Sequence, residues 1–171
     1  MFSKACEYGM RAMVHIATHG AGDQFVGVRE VAEAVDAPEA FTAKILQKLS
    51  RSGLLNSVKG PGGGFSISQE AIRKVHLIDI VEVIDGKQAF EGCVLGLPNC
   101  GDENPCPLHD QYVTVRTGLR SMLSKTSLKD MVSGIRSGET HLRVPLKYAL
   151  SPGTGTVTLH HTTKAPLGRL C

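Results

Sequence analysis

The stretch VREVAEAVDAPEAFTAKILQKLSRSGLLNSVKGPGGGFSIS, residues 28–68, decides the fold. Val28, Val31, Ala32 and Val35 recur at helical spacing and predict a short helix over 28–35. Asp36 then reads as a cap for a second helix, with Glu39 three residues on completing a capping-box pattern and Pro38 tolerated in the first turn. Phe41, Ile45 and Leu49 form its apolar stripe, which assigns Phe41 to the core, and Gly53 is its stop. Two short helices joined by a tight turn have the shape of a helix-turn-helix. Leu54–Val58 and Phe65–Ser68 alternate on either side of Lys59-Gly60-Pro61-Gly62-Gly63-Gly64, which predicts a β-hairpin with a glycine-rich tip. A phosphate-binding P-loop needs Gly-Lys-Ser/Thr opening a helix, whereas a strand follows here. A hairpin after the second helix makes the unit a winged helix. The side-chain-free tip at Gly60, with Lys59 beside it, can lie close to a DNA backbone.

Outward from this stretch, an amphipathic helix is expected over 3–19 and one helical turn over 69–74. A helix over 76–85 packs through Leu77, Ile80, Val81 and Ile84, and residues 91–107 form a loop. A long helix over 107–125 carries Leu108, Tyr112, Val115, Leu119 and Met122 in a seam near heptad spacing. Either a partner chain or the protein's own core would satisfy that seam. A short helix follows from Ser127. The expected architecture is mostly α: a winged helix-turn-helix over 1–75, a loop and dimerisation helices over 76–135, and a poorly ordered tail over 136–171.

Apolar residues make up 42% of the 171 and charged residues 20%, which excludes a disordered chain. No apolar run approaches the ~20 residues that span a bilayer. Glu7 and Arg11 interrupt the apolar N-terminus, so a signal peptide is not expected and the protein is assigned to the cytoplasm. The net charge of +3 is unevenly spread: residues 76–110 hold one Lys against seven acidic groups, while Ala40–Gln69 holds Lys44, Lys48, Arg51 and Lys59 with no acidic residue. Such a basic segment suits a polyanion. If helix 39–52 enters a major groove, Thr42 and Lys44 can reach base edges while Lys48, Arg51 and Lys59 contact phosphates. No Ser/His/Asp order, carboxylate pair or cofactor loop supports catalysis, so no enzyme is expected.

Three of five cysteines crowd together as Cys93-x6-Cys100-x5-Cys106-x2-His109. Structural zinc sites bring short Cys-x2–4-Cys knuckles, and none occurs here. Wide gaps in one loop let three thiolates wrap a larger object such as an iron–sulfur cluster. His109, in the first turn of the following helix, can face the same cavity. The surrounding acidic residues offer little positive charge to lower thiol pKa values, which disfavours bare-thiol sensing. Cys6 belongs to the core and Cys171 to the tail.

Together, Tyr8-Gly9-Met10-Arg11-Ala12, APEAFTAKILQKLSRSGLL, the wing VKGPGGGF, LIDIVEVIDG and the Cys93–His109 pattern followed by TSLKDM resemble the Rrf2-type winged-helix regulators over roughly residues 1–135. The resemblance implies a homodimeric transcriptional repressor or activator that binds double-stranded DNA. It also implies a 2Fe–2S or 4Fe–4S cluster on Cys93, Cys100 and Cys106, with His109 as a further ligand in the 2Fe–2S type. In some nitric-oxide sensors of the family, a first-helix carboxylate of the partner chain completes the site, and Glu7 stands at that position. Family precedent turns Ala40 and Phe41 toward DNA. The signal would be iron, redox state or nitric oxide. The alternative is a cluster-free or zinc-holding thiol redox sensor on the same scaffold.

Overall fold

The computed structural model describes residues 2–22 and 24–142, so the expected tail beyond Leu142 and Cys171 lie outside the described residues. Helix α1 (Lys4–His19) starts where the Ser3 hydroxyl accepts the Cys6 backbone N–H at 3.1 Å, and ends at Gly20. Its buried side runs through Cys6, Gly9, Ala12, Met13, Ile16 and Ala17, and the helix packs on α2, α3, α5 and α7. At Gly9 the crossing with α5 is close, since an added Cβ would meet the Ile84 side chain at 2.1 Å. Burial raises the Cys6 thiol to about 12, with the charge of Asp85 adding to it, so Cys6 is an inert core residue.

The helix-turn-helix consists of α2 (Val28–Val35) and α3 (Glu39–Arg51). The turn corrects one expectation. Asp36 does not cap α3; it ends α2 in the left-handed region at φ 54°, a conformation Asp tolerates better than most residues. Pro38 precedes α3, and its carbonyl accepts the Thr42 N–H at 2.9 Å, with no side-chain cap. Gly53 follows the helix at φ 83°, the stop its sequence position indicated.

The wing is β1 (Asn56–Val58) paired antiparallel with β2 (Gly64–Ser66), in the register Asn56↔Ser66, Ser57↔Phe65, Val58↔Gly64. Leu54 and Leu55 are not strand residues, and Leu55 anchors the hairpin in the core. Phe65 and Val26 exchange both backbone hydrogen bonds at 2.9 Å, so the wing is stitched to the segment before α2. Gly64 is required there: its φ is 155°, and a Cβ would meet the Val26 carbonyl oxygen at 2.4 Å.

Helices α4 (Gln69–Lys74) and α5 (Leu77–Asp85) follow, then a 3₁₀ turn over Lys87–Phe90 that the sequence pattern did not indicate. After the cysteine loop come α6 (His109–Lys125) and α7 (Leu128–Arg136). Ser127 and Asp130 form a capping box at the start of α7. Leu77 N–H donates to the Thr126 carbonyl at 3.0 Å, and Leu128 N–H to the Val75 carbonyl at 2.9 Å, so the starts of α5 and α7 are pinned together. One buried cluster runs from Cys6 to Val132 and unites α1–α5, α7 and the foot of α6. Among the described residues, no helix is long and apolar enough to cross a membrane.

Helix α6 buries only Leu123. Leu108, Val115 and Met122 are 44%, 65% and 52% exposed, so the heptad seam is largely uncovered by the protein's own core.

Candidate functional site

The exposed face of α3 follows from the 100° step between helical residues. Ala40, Lys44, Gln47 and Arg51 fall on one narrow stripe, and all four are exposed. Arg51 and Gln47 share a groove of about 500 Å³ with Lys59, Ser57 and the wing glycines Gly63 and Gly64. Gln47 was missed in the sequence because it carries no charge, although its spacing from Lys44 and Arg51 marks the stripe. Gly60 stands at the exposed wing tip at φ 98°.

Thr42 corrects another expectation. It is 1% exposed on the opposite side of α3, and its hydroxyl donates to the Pro38 carbonyl at 3.1 Å. A threonine so placed satisfies its hydroxyl within the helix and presents nothing to a base edge. Lys48 lies at the flank, where its Nζ donates to the Ile84 carbonyl at 2.9 Å. Phe41, assigned to the core by periodicity, is 37% exposed and packs edge-on against Tyr8 with ring centroids 6.0 Å apart. It sits where the stripe meets the core, which a period count alone does not resolve.

The second locus is the loop between the 3₁₀ turn and α6. Local turns shape it: Gly96 N–H to the Cys93 carbonyl at 3.0 Å, a Gly101/Asn104 backbone pair, and His109 N–H to the Cys106 carbonyl at 2.9 Å. These turns bring the Cys93, Cys100 and Cys106 sulfurs within 4.8 Å of one another, with Cys93 Sγ and Cys106 Sγ 3.6 Å apart. They border a cavity of about 220 Å³, which His109, Asp102, Tyr112 and Arg116 also line. His109 Nδ1 lies 3.3 Å from Cys100 Sγ, and its Nε2 lies 3.2 Å from Asp102 Oδ1. A carboxylate on one ring nitrogen fixes the tautomer and leaves the other facing the thiols, the arrangement common behind metal-bound histidines.

Backbone N–H groups of Leu97 and, after the opposing effect of burial, Leu95 lower the Cys93 thiol to about 7. This corrects the charge argument: amide donors within the loop do what the acidic surroundings cannot. At Cys100 the Cys106 backbone favours the thiolate, but burial and the neighbouring thiols outweigh it and raise the pKa. Arg116 is a further residue the sequence did not flag. From α6 its Nη1 donates to the Glu91 and Gly92 carbonyls, both at 3.0 Å, and so clamps the loop's first end. Glu7 lies on α1, paired with Lys4 at 2.7 Å, and does not line the cysteine cavity within the chain.

A small hairpin behind a helix with an exposed basic stripe defines a winged-helix DNA-binding protein. The model for Rrf2, described as an iron-dependent transcriptional regulator, matches residues 2–134. The chain belongs to the Rrf2 family of transcriptional regulators, and not to an enzyme family. It is 31% identical over 135 residues to a putative HTH-type transcriptional regulator of Aquifex aeolicus, covering 78% of this chain and 92% of that protein. It is similar at 28% over 106 residues to the HTH-type transcriptional repressor NsrR of Streptomyces coelicolor, covering 62% and 66%. Its fold matches that of T. potens IscR with a TM-score of 0.63 at 23% identity, covering 82% of this chain and 92% of that one.

Proposed function

We propose that this regulator is a homodimer whose affinity for DNA is controlled by an iron–sulfur cluster on Cys93, Cys100 and Cys106, acting in the cytoplasm. The convergence of three thiols on one cavity carries this reading. The donor set fits the group: soft, half-buried sulfurs from one side of an otherwise exposed loop, and an imidazole oriented by Asp102. His109 or the Glu7 of a partner chain supplies the remaining ligand. When bound, the cluster supplies a centre that iron supply, oxidants or nitric oxide can alter.

His109 begins α6, and its N–H is bonded to Cys106, so the position of the thiols and of the dimer helix are one problem. The uncovered seam of Leu108, Tyr112, Val115, Leu119 and Met122 packs against its own copy about a twofold axis. Two recognition helices then read half-sites about one helical turn apart in a roughly palindromic operator. Lys44 reaches base edges beside Ala40. Arg51 and Lys59 contact phosphates across the α3–wing groove, and Gly60 lets the tip approach the backbone. Lys48 contacts phosphate at the flank. A ligand shifts DNA affinity only by as much as it discriminates between dimer arrangements.

A second reading has its own support. The 3.6 Å approach of Cys93 and Cys106 and the lowered Cys93 thiol suit a thiol redox sensor. Anaerobic purification with iron and sulfide analysis separates the two. The cluster reading expects brown protein whose colour is lost in Cys93→Ala, Cys100→Ala or Cys106→Ala, with DNA affinity fixed at the metal-free value. Colourless anaerobic protein, whose DNA affinity still responds to oxidant, sinks the cluster reading and supports the second.

A further inference from the structure

Between α1, the end of α2 and the end of α7 lies a pocket of about 370 Å³, lined by Arg11, His15, His19, Val35, Ile135 and His141 among others. His15 and His19 are one helical turn apart on one face, with ring centroids 4.3 Å apart. Pairs at this spacing are suited to chelating one ion. From α2, Glu30 places Oε1 3.7 Å from His15 Nε2. Two donors ~2.1 Å from a tetrahedral ion stand about 3.4 Å apart, so this spacing is close to that of two ligands on one centre.

Two further observations point to a ligand. His15 Nε2 is buried without a hydrogen-bond partner, the one such side-chain atom among the described residues. A buried polar atom left so is costly unless something binds it. His19 Nδ1 contacts the His15 backbone carbonyl at 3.0 Å, so donating this proton leaves Nε2 as a free lone pair. That is the orientation a backbone carbonyl imposes on a ligating histidine.

We propose that His15, His19 and Glu30, with His141 closing the site, bind one late first-row divalent cation of the Zn²⁺ class. Imidazole and carboxylate donors suit this class, and no thiolate is involved. Among the described residues, only the cysteine group has three donor atoms within 4.8 Å of one another, so ion binding draws in Glu30, whose side chain is 60% exposed, and the exposed His19. The site joins α1 to the first helix of the helix-turn-helix and to the segment after α7. It is thus a second metal input, separate from the cysteine loop.

The test uses the full chain carrying Cys93→Ala, Cys100→Ala and Cys106→Ala, titrated with Co²⁺ as the spectroscopic probe and with Zn²⁺ in competition. The expected result is one Co²⁺ per chain, with the visible ligand-field bands of a tetrahedral site, no thiolate charge-transfer band, displacement by Zn²⁺ and a rise in Tm. Adding His19→Gln or Glu30→Gln, both at exposed positions that leave the fold intact by circular dichroism, weakens Co²⁺ binding about tenfold or more. Absence of saturable Co²⁺ uptake overturns the proposal, as does uptake whose affinity His19→Gln leaves unchanged. Neither outcome bears on the cysteine centre, which this variant lacks.

Discussion

In the winged helix, Met13, Ile16, Leu46 and Leu49 are wholly buried, and they belong to the core cluster shared with the other helices. In the cysteine loop, residues 91–108, no side chain is buried, and shape rests on local turns and on the Arg116 clamp. Burial of a large apolar side chain stabilises by ~1.5–3 kcal/mol with no need of a bound ligand. Turns and one arginine do not approach that, so the loop's geometry is open to whatever its thiols bind. On the function proposed above, the molecule separates a constant reader from a conditional input.

The sharpest way to break this contrast is to damage each region and measure metal-free stability. Leu49→Ala leaves a cavity in the shared core and costs about 2–5 kcal/mol. Cys100→Ala, in the half-exposed loop, stays within about 0.5 kcal/mol. Urea unfolding of both without metal checks the pair, and equal losses would show the loop to be part of the core.

Next in size is the seam of α6. Val115→Glu acts on a side chain that is 65% exposed, whereas Leu119 also packs on the core, so Val115 isolates association from folding. Monomers in sedimentation and about a hundredfold weaker operator binding are expected, because two tethered half-site readers act together. A smaller effect is expected from Arg116→Ala, which releases the loop's first end and lowers metal affinity about tenfold with little change in Tm. On the reader side, Arg51→Ala and Lys59→Ala each flatten the salt slope of DNA binding by about 0.9. Lys48→Ala does less, since a phosphate contact must first displace the Ile84 carbonyl.

The smallest effect is on pH dependence. Ser127 hydrogen bonds, first from its side chain and then its backbone, lower the Asp130 carboxyl below its ordinary 3.8. Because the folded value is the lower one, the stabilisation is full above 3.8 and fades as pH falls through the folded value. Asp130→Asn therefore reduces stability near neutrality and reduces its acid dependence, measured by urea titration at several pH values.

The period of Val28, Val31, Ala32 and Val35 made α2 legible over Val28–Val35, and α4 over Gln69–Lys74, expected as one helical turn, also matches at both ends. The turn after α2 was misread because Asp serves both as an N-cap and in the left-handed region, and residue type does not decide between them. The 3₁₀ turn at Lys87–Phe90 is too short to show a period. At the site, cysteine spacing exposed the thiols but not the donors around them. Arg116 is distant in sequence, and backbone N–H groups have no residue type at all. Thr42 shows the converse limit: a polar residue amid basic ones belonged to the core because its angle on α3 outweighs its chemistry.

The paired hydrogen bonds between the starts of α5 and α7 have a polymer consequence. His76 and Ser127 bridge, so the chain between them begins and ends at one point; α5 and the foot of α6 pack on the core along the way, and the excursion proper is the loop over 91–108, where no side chain is buried. Closing such an excursion has an entropy that depends only on the logarithm of its length. One residue more or less between Cys93 and Cys100 changes it by a few hundredths of a kcal/mol. The spacing of the thiols is therefore free to drift, and with it the size of what they could enclose, at almost no consequence to the stability of the winged helix.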